Sequence, residues 1–248
     1  MKPFLTANWT NLINATYAVN PDLLVPHLPQ GVEPDIIEGK AFVSVVPFNF
    51  TNTKFLGMKV PFHVHFPEIN LRFYVHRGGK RGVVFLTEYI SKFFIKEIAN
   101  RVYYENYRLA KLNSHVAENE KEIMVRHTLE KGAKKFFIEI NAENNPALPA
   151  RNSTEHFFEE RFCGYSKTPP GKAMEFRVDH PSWEIYPVKH FKTDFDFGFL
   201  FGVEWNILNE TKPVCVMLVK GSHVKMFPHR PLITAENLYK VQKPLSVS

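Results

Sequence analysis

Pro67-Glu68-Ile69-Asn70-Leu71-Arg72-Phe73-Tyr74-Val75 alternates without a break. Side chains on an extended strand have period two, so Ile69, Leu71, Phe73 and Val75 share one face and Glu68, Asn70, Arg72 and Tyr74 share the other. The second face carries an acid, an amide, a guanidinium and a phenol in one row, each able to orient a ligand. A solvated outer face is the ordinary fate of such a row. The segment that follows argues for the other fate. His76-Arg77-Gly78-Gly79-Lys80-Arg81-Gly82 reads as a tight turn, its glycines supplying positive φ. Val83-Val84-Phe85-Leu86 after it is apolar on both faces, which is how a strand covered on both sides reads. Its neighbour in the hairpin is then covered too, and the polar row faces an interior where its groups must be paired or serve a ligand.

Working outward, Leu12 to Val19 reads as a first strand, and Asn20-Pro21-Asp22 opens a short helical turn. Residues 32–37 and 41–48 read as a hairpin around Glu38-Gly39-Lys40, and 51–58 as a loop. Ser91 is a candidate N-cap for an amphipathic helix to about Tyr103, with Ile95, Ile98, Ala99 and Val102 on its buried stripe. Residues 115–121 are polar and read as a loop. Ile123–Leu129 and Lys134–Ile140 make another hairpin, and Asn152-Ser153-Thr154-Glu155 reads as a cap before a short helix through Phe162. Residues 173–180 form a strand with His180 at the end of an apolar row. Residues 213–219 and 222–227 read as a last hairpin around Lys220-Gly221, and Thr234 as the cap of a closing helix to Val241.

The totals agree with an antiparallel α+β architecture, one domain over residues 1–248. Of 248 residues 44% are hydrophobic, with 23 Phe, 18 Pro and 12 Gly, a composition suited to many short strands joined by turns. The net charge of +6 is scattered rather than gathered into a face, so no nucleic-acid partner is expected. No apolar run reaches membrane-spanning length, and the N-terminus lacks the apolar stretch of a signal peptide. Two cysteines, Cys163 and Cys215, make no disulfide framework. The expected setting is the cytoplasm.

Several segments together resemble the YqjF-like domain of unknown function family, over most of the chain. They are Phe66 to Val75 with Gly82-Val83-Val84-Phe85, Leu28-Pro29-Gln30-Gly31 with Phe42 to Phe48, Phe158-Glu159-Glu160-Arg161-Phe162, and His180-Pro181-Ser182-Trp183. That family is remotely similar to acetoacetate decarboxylases. The resemblance implies a barrel of curled sheets with a central cavity, assembled as a homo-oligomer. It adds Arg161 and Trp183 to the residues expected around that cavity. The decarboxylases carry a Pro-Lys-Lys whose second amine forms a Schiff base. The best match here, Asn106-Tyr107-Arg108-Leu109-Ala110, has no lysine, Lys111 is out of register, and a guanidinium cannot form an imine.

The sequence therefore points to a protein that holds a small, anionic organic ligand, a carboxylate, in an interior cavity. Arg72 would grip the carboxylate, Glu68 and Asn70 would orient it, and Tyr74 would add a hydrogen bond. His180 and Tyr107 are the titratable candidates for proton transfer. Three classes of function fit the row: an enzyme without a Schiff base, a non-catalytic carrier or sensor, and a structural core in which Glu68 pairs with Arg72. His63-Val64-His65 has a spacing zinc uses, but no third ligand stands in register, so neither metal nor cofactor is assigned. Lys134-Lys135 sits at a hairpin end, where solvated lysines are expected.

Overall fold

The structure, a computed structural model, describes residues 1–102, 105–168 and 172–232. The closing helix expected at 234–241, and Tyr103 and Tyr104, lie outside the described residues. Among the described residues fifteen strands run in order: β1 (Leu5–Val19), β2 (Glu33–Pro34), β3 (Ala41–Phe55), β4 (Phe66–Arg77), β5 (Lys80–Ile90), β6 (Tyr107–Leu109), β7 (Lys111–Glu118), β8 (Glu122–Lys131), β9 (Lys134–Glu143), β10 (Cys163–Thr168), β11 (Lys172–Asp179), β12 (Ile185–Tyr186), β13 (Val188–Thr193), β14 (Cys215–Met226) and β15 (Arg230–Pro231). Among the described residues three short α-helices, α1 (Phe93–Val102), α2 (Thr154–Glu159) and α3 (Phe197–Phe201), and two 3-10 helices, Pro21–His27 and Val203–Asn209, accompany them.

The larger sheet runs β14-β1-β3-β4-β5-β10-β11, and β11 pairs back to β14, so seven strands form a closed circuit. A second sheet, β13-β9-β8-β7, lies over its outside. Two cores result. The inner one lies within the circuit and takes Trp9 and Leu12 of β1, Val46 and Phe48 of β3, Tyr74 of β4, Val83 and Ile90 of β5, and Phe176 of β11. The outer one, between the sheets, takes Ile13 and Tyr17 of β1, Val43 and Val45 of β3, Ile69, Leu71, Phe73 and Val75 of β4, and Val125 and Ile138 of the second sheet, with Leu200 of α3. Both faces of β4 are thus interior, which is why one face is wholly apolar and the other carries paired polar groups.

Several segment expectations need correction. β1 begins at Leu5, not Leu12, because a bulge at Asn11 (φ 55°) interrupts the alternation: Trp9 and Leu12 both face inward. Residues 32–37 do not pair with β3; β2 pairs with β4 instead. β3 continues through 51–55 and β7 through 115–118, where loops were expected at 51–58 and 115–121. Residues 215–226 are one continuous strand rather than a hairpin. Gly221 (φ 76°) lies opposite Thr10, where a Cβ would come 2.0 Å from the Trp9 carbonyl oxygen. That glycine marks close backbone approach, not a turn. α1 starts at Phe93, two residues past Ser91, and Ile98 is exposed. α2 ends at Glu159, short of Phe162, with Ser153 capping it by accepting from the His156 amide at 3.2 Å. The β4–β5 hairpin turns on Gly78 and Gly79, both at positive φ, as expected.

Candidate functional site: buried carboxyls and guanidiniums within the strand circuit

Register brings the polar groups together. Asn70 of β4 lies opposite Glu88 of β5, and Glu88 beside Tyr107 of β6, so three adjacent strands present an amide, a carboxyl and a phenol side by side. Glu68 is the next inward residue of β4. Asn70 donates to Glu68 Oε1 at 3.2 Å, and the Tyr107 hydroxyl donates to Glu68 Oε2 at 3.2 Å. Tyr107 is fixed from behind: its amide donates to Asn100 Oδ1 at 2.7 Å and its carbonyl accepts from Asn100 Nδ2 at 2.9 Å. Glu68 and Glu88 are both buried, at 3% exposure each. Desolvation pushes Glu68 up to about 7, against the pull of its two hydrogen bonds; the Glu105 charge adds to the rise and Arg72 opposes it. Burial raises Glu88 well above the carboxyl range, helped by the charges of Glu105 and Glu68. The same burial and carboxylates hold the Tyr107 phenol well above its ordinary value. Burial thus biases Glu68, Glu88 and the Tyr107 phenol alike toward their protonated forms.

Glu105 completes the acidic end. Its Oε1 accepts from Ser166 Oγ at 3.1 Å and lies 3.0 Å from His229 Nε2. It lines a pocket of about 170 Å3 with Pro26, His27, Phe85, Asn106, Ser166 and Lys167 among the walls. The pocket has a topological origin. β5 pairs with β10 at Gly82–Val84 and with β6 at Glu88–Ile90, so the ladder forks between them and Phe85-Leu86-Thr87 lose their outer partner. Asn106 bridges part of the fork, donating to the Leu86 carbonyl at 2.7 Å and to Thr87 Oγ1 at 3.1 Å.

Along β4 the row continues away from the acids. Arg72 is half-buried, makes no ion pair among the described residues, and its Nε is inaccessible and unpartnered. The Glu68–Arg72 ion pair of the structural alternative is absent among the described residues; Glu68 takes neutral donors instead. Tyr74 is fully buried: its hydroxyl meets Ser44 Oγ at 2.6 Å and accepts from Asn14 Nδ2 at 3.2 Å, and Thr16 Oγ1 joins Ser44 Oγ at 2.6 Å. Arg161 lies over the Tyr74 ring at 5.0 Å and pairs with Asp35 at 3.2 Å. His180 is stacked on Trp183, centroids 3.9 Å apart, and on Phe162, with Nδ1 2.8 Å from the Pro181 carbonyl. Burial lowers its pKa. Trp183 donates through Nε1 to Ser222 Oγ at 2.7 Å and through its amide to Glu159 at 2.7 Å.

The structure therefore gathers Glu68, Asn70 and Tyr107 at one end of the row and Tyr74 and Arg161 at the other, with Arg72 between. His180 and Trp183 form a stack whose polar atoms go to backbone and Ser222. Glu88 and Glu105 were not singled out in the sequence. A bulge at Leu86 shifts the parity of β5, so Glu88, which simple alternation puts with Val84 and Leu86, turns inward. A charged residue inside an otherwise apolar strand was the available signal. His63 Nδ1 turns to the Pro61 carbonyl and His65 accepts from the Asn52 amide; among the described residues no metal-binding group of three is present. Lys134 and Lys135 are exposed and pair with Asp196 and Glu130.

A closed circuit of curled strands with a second sheet packed outside defines the acetoacetate-decarboxylase-like fold class, and solved structures agree. The enduracididine biosynthesis enzyme MppR complexed with pyruvate matches with a TM-score of 0.66 at 12% identity, over 94% of this chain and 92% of that one. An acetoacetate decarboxylase-like enzyme from Sphingomonas wittichii RW1 matches at 0.63 and 10%, over 94% and 95%. The acetoacetate decarboxylase of Legionella pneumophila matches at 0.62 and 12%, over 94% and 88%. The family model DUF2071, described as an uncharacterized conserved protein, matches residues 6–223, and the chain belongs to that family. The uncharacterized protein YqjF of Bacillus subtilis is 35% identical over 80 residues, a match spanning 32% of this chain and 33% of that protein. Among the described residues no helix is long and apolar enough to cross a membrane.

Proposed function

We propose that this protein binds a small organic carboxylate, of the 2-oxo acid class, inside the strand circuit and moves a proton on it. One observation carries the reading. Glu68 accepts from the Tyr107 phenol, Glu88 stands beside it across the β5–β6 pairing, the Glu105 charge reaches it, and Arg72, with no ion pair among the described residues, follows Glu68 and Asn70 on the same face of β4. Groups pushed apart in pKa within a buried cluster are the hallmark of acid–base sites. Arg72 holds the ligand carboxylate. Glu68, raised by burial toward neutral pH, takes a proton from the carbon beside the ligand carbonyl when ionised. That C–H bond breaks, its electron pair becomes the C=C bond of an enolate, the carbonyl π pair moves onto the oxygen, and protonated Glu88 or Tyr107 donates a hydrogen bond to that oxygen. The pyruvate held by MppR, a protein of the same fold, supports this ligand class. The chemistry runs without an imine: Arg108 donates to the Leu200 carbonyl at 3.3 Å, and Lys111 is exposed and paired with Glu130 at 2.8 Å.

Pyruvate in deuterium oxide tests it. The wild-type protein is expected to speed exchange of the methyl protons, read by proton NMR, and Glu68→Gln to slow that exchange by on the order of 100-fold. Arg72→Met should weaken pyruvate binding by calorimetry at least tenfold. Borohydride added with pyruvate should leave the intact mass unchanged. Binding without exchange makes the protein a carrier, absence of binding overturns the reading, and a reduced adduct on any lysine overturns the imine-free chemistry.

A further inference from the structure

Arg161 is buried beyond any need of the fold described so far. Its side chain is 2% exposed, yet among the described residues none of its guanidinium nitrogens makes a hydrogen bond. Its planar face is occupied: the guanidinium carbon lies 4.4 Å from the Phe157 ring centroid and 5.0 Å from that of Tyr74. Stacking uses the face and leaves the N–H donors at the edge, pointing in the guanidinium plane. Among the described residues the one carboxylate paired with it is Asp35, whose Oδ2 lies 3.2 Å from Nη2. Against that single charge stand three cations. Arg81 stacks on Phe157 at 4.5 Å, and the charges of Arg72 and Arg81 both press on Arg161. Leaving the buried donors of a charged group without an acceptor is costly, and folded proteins do so rarely.

Position supplies the rest. Arg161 stacks on Tyr74, the inward residue that follows Arg72 on β4. Two residues of strand advance roughly 7 Å, so the ring that Arg161 covers lies one inward step beyond Arg72 along the row that begins at Glu68.

We propose that Arg161 is the second anion-binding group of the interior, and that the natural ligand carries two carboxylates, one held by Arg72 and one by Arg161, as in a short 2-oxo dicarboxylate. The inference rests on the reading of the interior as a 2-oxo acid site and narrows its ligand. A carboxylate suits the position better than a phosphate, because Asp35 already neutralises part of the Arg161 charge and a dianionic group would lie against that carboxylate.

Calorimetry on the full chain with pyruvate, 2-oxoglutarate and phosphoenolpyruvate tests it. Wild-type protein is expected to bind 2-oxoglutarate at least tenfold more tightly than pyruvate, and more tightly than phosphoenolpyruvate. In Arg161→Lys, which keeps the charge beside Asp35 but loses the planar fork, the 2-oxoglutarate-to-pyruvate ratio should fall at least fivefold. In Asp35→Asn, which removes the competing carboxylate, the ratio should rise. Pyruvate binding with no preference for 2-oxoglutarate overturns this inference and leaves the 2-oxo acid reading standing; failure of every ligand overturns both. An undiminished ratio in Arg161→Lys, or a fall in Asp35→Asn, shows that Arg161 serves the fold alone. Tighter binding of phosphoenolpyruvate overturns the assignment of a carboxylate.

Discussion

Glu68 keeps its proton to about pH 7 because burial outweighs the two hydrogen bonds that favour its ionised form. Its ordinary value is 4.5, so between these limits the folded protein binds a proton that the unfolded chain has released. Folding stability from this group is fully present below 4.5 and is lost as pH rises through 7. Taken alone the shift corresponds to about 3 kcal/mol. Other groups titrate nearby: Glu159, also pushed up to about 7 by desolvation, acts in the same sense, while His127, lowered to about 4, gains stability as pH rises from 4 to 6.5. A difference between two proteins removes both. Glu68→Gln should therefore gain on wild type by roughly 3 kcal/mol in denaturant unfolding between pH 4.5 and 8; a difference that stays flat shows that Glu68 ionises normally. The row containing Glu68 was legible because alternation exposes a polar face whatever covers it. The partners were not, because Glu88 and Glu105 owe their place to a bulge and to a connection between strands.

β1 shows how one backbone residue can hide a pattern. Leu5, Ala7 and Trp9 face inward at odd positions, and after Asn11 the inward residues are Leu12, Asn14 and Thr16. Reading the strand from Leu12 captures only the second half. The left-handed φ at Asn11 suits asparagine and glycine and penalises β-branched residues. The bulge also sends the Asn11 carbonyl toward the second sheet, where it lies 2.8 Å from Nε2 of fully buried His127. Asn11→Gly is expected to fold with little loss. Asn11→Val should lower stability by about 1–3 kcal/mol, and deletion of Asn11 should prevent folding, because it would turn Trp9 and its inward neighbours to the outer face. Equal melting temperatures for the glycine and valine variants would show that the bulge carries no strain. β14 poses the same problem in reverse: Lys220-Gly221 looks like a turn in sequence, but contact with the Trp9 carbonyl is what requires the glycine.

At the scale of the whole molecule, the circuit is not equally strong around its length. β1 pairs with β14 through eleven residue pairs and with β3 through ten, and β3 with β4 through eight. β5 meets β10 through only three pairs, and β11 meets β14 through two. β10 and β11 form the segment between the two short joins, and Ser166 of β10 holds Glu105 where the ladder forks. Local opening takes place where few hydrogen bonds and little apolar burial must be given up. Peptides covering 163–168 and 173–179 are therefore expected to exchange their amide hydrogens at least tenfold faster than those covering 41–50 and 66–75. If a 2-oxo acid binds within the circuit, it is held by strands on both sides of this segment, and saturating pyruvate should slow exchange in 163–168 while leaving the solvent-facing hairpin at 118–122 unchanged. Equal protection around the circuit would show that the short joins are no weaker than the rest. Slowing confined to residues outside the circuit would place the ligand elsewhere and end the interior reading.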